Sequence, residues 1–154
     1  MTGGARSGGR YRTVVFWALA LVAIAPLLPS ARAQGVAPRS VWAGVYTSEQ
    51  AMRGEPLYSR SCGSCHGSAL EGGEMAPALS GGPFIANWNG LTLGDLLERI
   101  RISMPQNSPA SLPRQAYVDI LAFMLRSGSF PEGQSELPRE TELLKQITFE
   151  STRP

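Results

Sequence analysis

The chain has 154 residues, 14 of them basic and 12 acidic, with a single histidine and a formal charge of +2. That length fits one domain, or one domain and a leader. Four basic residues (Arg6, Arg10, Arg12, Arg32) and no acidic ones lie in residues 1–33, so the rest carries 10 basic against 12 acidic residues, formally −2. No polybasic run remains, which argues against nucleic acid as a partner. Lys145 is the only lysine, so docking through basic groups would fall mostly to arginine.

Arg6, Arg10 and Arg12 precede an apolar run from Val14 to Leu28, and small residues follow at Ala31 and Ala33. A basic n-region, an apolar h-region and an A-x-A site mark an export signal, with cleavage expected after Ala33. The run is 15 residues long and contains Pro26, short of the roughly 20 residues a spanning helix needs. An uncleaved anchor is therefore the weaker reading. No second stretch of spanning length follows, so the expected mature chain starts at Gln34 and is periplasmic, without stable membrane insertion.

Residues 34–46 read as an irregular N-terminal arm whose Val41, Trp42 and Tyr46 can pack against a body. Thr47 opens a helix, with Gln50 at the reciprocal capping-box position. Ala51, Met52, Leu57 and Tyr58 give this helix an apolar face, and Pro56 is expected to kink or split it. Residues 67–90 are rich in Gly, Pro and Asn, without a sustained period, and predict a long loop wrapped around something. Thr92 and Asp95 cap a helix with Leu93, Leu96, Leu97 and Ile100 at helical spacing.

A second loop runs from Met104 to Ala110 and contains Pro105 and Pro109. Ser111 is expected to cap the last clear helix, with Pro113 in its first turn. Its buried face is Ala116, Tyr117, Ile120, Leu121, Met124 and Leu125, and Gly128 is the expected C′ residue. A polar tail, 131–154, carries an apolar patch at Leu143–Ile147 that can fold back. Three helices and two long loops are expected within a body spanning 47–130, with no sheet.

A Gly- and Pro-rich mature chain of about 120 residues buries a modest core and calls for a staple, a metal or a cofactor. The two cysteines are too close together to close a long loop. They fall instead in Cys62-Gly63-Ser64-Cys65-His66, the attachment pattern of c-type haem. Two thiols at this spacing can each add to one vinyl group of a porphyrin, and the adjacent imidazole is placed to ligate iron. A structural zinc site wants four Cys or His ligands, and the chain has three such residues. A redox dithiol wants a βαβ context, and no strand–helix alternation is visible.

His66 is the only histidine, so two histidines of one chain cannot ligate the iron. The sixth position falls to methionine, another side chain, water or nothing. Met52 precedes the motif on a helix, and Met124 reads as core. Met75 follows His66 closely, which hinders its reaching the opposite haem face. Met104 lies in a loop long enough to present its sulfur and is the favoured ligand, with Met75 second.

With these pieces in order, the chain resembles a class I c-type cytochrome, of the kind found as the monohaem cytochrome partner or domain of bacterial quinoprotein dehydrogenases. The resemblance runs from about Val41 to Leu137, through VWAGVYTSEQAMRGEPLY, CGSCHG, APALSG, NWNGLTLGDLLERI, MPQNSP and AYVDILAFML. It implies an all-α fold, a small class I cytochrome c of three or more helices wrapped around one covalently bound haem with long Gly/Pro-rich loops. It also implies a first and last helix crossing at a Gly–aromatic pair, matched by Gly54, Tyr58 and the Tyr117/Leu121 face. Pro77 matches the proline whose carbonyl accepts from the proximal imidazole. Trp88 matches an indole N–H near a haem propionate, and Met104 matches the distal methionine.

The expected function is transfer of single electrons rather than catalysis, by one haem c attached at Cys62 and Cys65 and ligated by His66 and Met104. The resemblance implies redox partners: an upstream quinoprotein-type dehydrogenase, and a terminal oxidase or other cytochrome downstream. Two rivals stand beside it. One is a gas-binding or catalytic haem with an open sixth site, and the other a haem subunit acting only inside a dehydrogenase complex.

Overall fold

The computed structural model describes Gly3, Gly4 and residues 39–154. The expected leader, apart from those two glycines, and residues 34–38 of the arm lie outside the described residues. The frame is a crossing of two 14-residue helices, α1 (Ser48–Ser61) and α5 (Arg114–Ser127). They meet at Gly54, where a Cβ would stand 1.9 Å from the Asp119 carbonyl oxygen. Only hydrogen fits between the two backbones there. Ala116 to Leu125 of α5 are buried without a break, so this helix is enclosed on all sides rather than along the single predicted face.

Between these helices lie α2 (Gly63–His66), α3 (Gly81–Trp88) and α4 (Leu93–Ser103); α6 (Thr141–Leu144) follows α5. α4 starts at the predicted capping box: the Thr92 hydroxyl accepts from Asp95 N–H, and the Asp95 carboxylate accepts from Thr92 N–H. Leu93, Leu96 and Leu97 are buried beneath it.

Several local expectations are corrected. α3 lies within the stretch read as loop; Phe84 on this helix packs edge-on against Phe149, 5.9 Å away. α1 continues through Pro56 instead of splitting. Pro56 and Met52 are exposed, so the Met52 carbonyl that lacks an amide partner can be hydrated. Gln50 does not close a capping box. Thr47 accepts from Gln50 N–H, but the Gln50 amide is buried and pairs with both backbone groups of Leu137. Ser111 makes no cap; α5 begins after Pro113, which has no capping side chain. Gly128 keeps φ −79°, and Ser129 takes the left-handed conformation instead.

A two-residue parallel pair joins β1 (Arg39–Ser40) to β2 (Ile147–Thr148), where no sheet was expected. The tail therefore lies along the arm. Phe149 exchanges backbone bonds with Gly90 and Leu91, Trp42 Nε1 donates to Glu150 O, and Ser151 N–H donates to Asn89 Oδ1. Leu144 and Ile147 of the predicted patch are buried, while Leu143 stays 38 % exposed. Among the described residues no helix is long and apolar enough to cross a membrane.

Candidate cofactor site

α2 is a single turn capped by Cys62, and its tight geometry follows from the motif's spacing. Cys65 and His66 N–H both donate to the Cys62 carbonyl, and Gly67 N–H donates to Gly63 O. Both cysteines are free thiols. Burial, then the neighbouring Cys65, pushes the Cys62 thiol up to about 11, so it is neutral at pH 7. Tyr58 of α1 donates its hydroxyl to the Gly67 carbonyl at 2.6 Å, tying the end of the motif to the helix crossing.

The chain then doubles back. Gly67 has φ +81°, and a Cβ there would meet the Glu71 carboxylate at 2.2 Å. Leu70, buried, accepts from Leu79 N–H, which closes the turn. The closure brings the Pro77 carbonyl to 2.8 Å from His66 Nδ1. A carbonyl can only accept, so Nδ1 carries a proton, and in the neutral ring it is Nε2 that holds the lone pair. His66 is otherwise buried.

His66, Cys62 and Cys65 border a cavity of about 900 Å³, to which Pro77, Trp88 and Met104 also contribute. That volume is at the upper end for small-molecule and cofactor sites. Met75 lines it too but is 83 % exposed. Met124 reaches it from the core, whereas Met52 is not part of its wall. Trp88 lies with its ring centre 6.3 Å from that of Phe84.

Two features escaped the sequence reading. Arg60 and Arg99 supply the charged side chains of the wall. Arg99 could have been found from period alone, because Leu96, Arg99, Ile100 and Ser103 share one helical stripe. The other is Tyr117, expected only as core: its hydroxyl donates to the Met104 carbonyl at 3.0 Å.

The residues present fit haem. A buried imidazole with one free nitrogen and a methionine sulfur are donors haem iron accepts. Two thiols at one edge suit covalent attachment, apolar walls suit a porphyrin, and two arginines suit its carboxylates. Among the described residues no group of three or more Cys, His, Asp and Glu side chains forms a competing metal site.

Residues 49–124 match the family model described as cytochrome C oxidase, cbb3-type, subunit III. No curated protein matches the chain. Among solved structures, the sulfane dehydrogenase SoxCD from Paracoccus pantotrophus contains a similar chain, at 23 % identity and a TM-score of 0.49. The similarity covers 70 % of this chain and 61 % of that one. The helical fold around the cleft and the family match over residues 49–124 support a class I c-type cytochrome domain.

Proposed function

We propose that the protein is an exported monohaem cytochrome c, with haem bound covalently through Cys62 and Cys65 and ligated by His66 and Met104. Bound haem supplies one-electron chemistry, its iron alternating between ferric and ferrous. The chain's own residues do the rest. With haem bound, the Cys62 and Cys65 thiols would each add across one vinyl group, the sulfur forming a C–S bond and the hydrogen passing to the neighbouring carbon, with no oxidant consumed. Pro77 fixes the tautomer and orientation of His66. Leu96, Ile100, Leu112 and Ile120 line the cavity and keep water away.

The observation that carries this reading is that Cys62, Cys65, His66 and Met104 all border one cavity, with Nδ1 of His66 already engaged by Pro77. Residues 1–33 serve as the export signal, and the mature protein works in the periplasm. Its donor is a quinoprotein-type dehydrogenase and its acceptor a terminal oxidase or another cytochrome.

Expression in a host that assembles c-type haem tests the attachment. The parent should keep haem through acid–acetone extraction and denaturing electrophoresis, and Cys62→Ser/Cys65→Ser should lose it. Extractable haem in the parent would refute the attachment. The amino-terminal sequence of the periplasmic protein, expected to begin at Gln34, tests the export reading.

A further inference from the structure

Met104 caps the C-terminus of α4, its N–H donating to Ile100 O, and α5 begins at Arg114. The intervening loop is largely exposed, and a distal ligand on such a loop is only as firmly held as the loop's ends. Two bonds close it. Ala110 N–H donates to Arg101 O at 3.0 Å. The second tie is Tyr117, a core residue of α5 only 1 % exposed. Its hydroxyl donates to the Met104 carbonyl at 3.0 Å and accepts from Leu112 N–H at 3.4 Å. One oxygen thus joins both ends of the loop to the most deeply buried helix.

We propose that Tyr117 is the positioning residue of the distal side, holding Met104 over the cofactor by bridging Met104 and Leu112. This rests on the assignment of Met104 as ligand. Removing the hydroxyl leaves the Met104 carbonyl and the Leu112 amide without that partner, while the ring still fills its place in α5. Open-loop states then gain population, by roughly tenfold for one net hydrogen bond. An external ligand that binds only when Met104 has left gains apparent affinity in the same proportion.

The test is titration of the ferric holoprotein with imidazole, following loss of the long-wavelength absorption of sulfur-ligated haem. Tyr117→Phe should lower the apparent Kd about tenfold. Tyr46→Phe is the control, because it deletes an equally buried hydroxyl whose partner, Phe130 O at 2.7 Å, lies outside the cavity wall, whereas Met104 and Leu112, the partners of Tyr117, line it. It should stay within twofold of the parent. An unchanged Kd in Tyr117→Phe overturns the proposal, as does an equal fall in both variants, which would report general loosening. Survival of the sulfur band in Met104→Ala is a separate readout, and it overturns the ligand assignment on which this role rests.

Discussion

Gly54 and Asp119 set the distance between α1 and α5, the two longest helices among the described residues: a methyl group on Gly54 would lie 1.9 Å from the Asp119 carbonyl oxygen. Both partners are backbone or fixed to it, so relief requires the helices to separate. Gly54→Ala should therefore cost about 3 kcal/mol of stability, at the upper end of overpacking effects. Gly82, in the first turn of α3 with nothing within 4 Å of its Cβ position, is the comparison; Gly82→Ala should change stability by less than about 1 kcal/mol. Denaturant midpoints of the two holoprotein variants check this.

Gln50 acts on the fold from an unexpected direction. Its amide serves both the N–H and the carbonyl of Leu137, 87 residues away. Gln50→Leu strands two buried backbone groups and should cost about 3 kcal/mol, at 1–3 kcal/mol for each unsatisfied group. Cleavage by a protease should move to the segment around Leu137, which mass spectrometry of limited digests would show.

These two residues show what was legible in the sequence and what was not. The Thr92–Asp95 box was readable because both partners lie within one turn, and the grouping of Cys62, Cys65 and His66 on one cavity because they lie within five residues. Gln50 looked like half of another box, since nothing local announces a partner at Leu137. α3 was missed because Gly81, Gly82 and Pro83 punctuate its start, whereas packing of Phe84 on the distant Phe149 holds it. Tyr117 was legible as core. Its bond to Met104 depends on where a loop closes in space, which periodicity does not report.

Acid should weaken the α4 end of the molecule first. Bonds from Thr92 hold the Asp95 carboxyl below its ordinary 3.8, and bonds from Arg101 and Thr141 hold Glu98 below its ordinary 4.5. Both groups thus bind protons more weakly folded than unfolded, so their stabilisation is present above the unfolded values and is lost as pH falls through the folded ones. Asp95→Asn/Glu98→Gln should be less stable than the parent at pH 7, with the gap closing below pH of about 4. Urea midpoints measured from pH 7 to pH 3 check this, and a gap that stays constant would contradict it.

Arg60 and Arg99 place positive charge on the cavity wall, which would favour the electron-rich ferrous state of the proposed haem. Arg99→Gln should lower the reduction potential, by on the order of 20 mV because the side chain is solvated. The shift should shrink in high salt. Spectroelectrochemical titration at two ionic strengths measures both effects.

The most direct test of a His66/Met104 electron carrier is the absorption spectrum of the assembled protein in ferric, ferrous and ferrous-plus-carbon-monoxide forms. The account predicts low-spin spectra, the long-wavelength band of sulfur-ligated ferric haem, and no response to carbon monoxide. A high-spin spectrum that shifts with carbon monoxide would contradict it, showing an open sixth position and a haem built to bind a ligand.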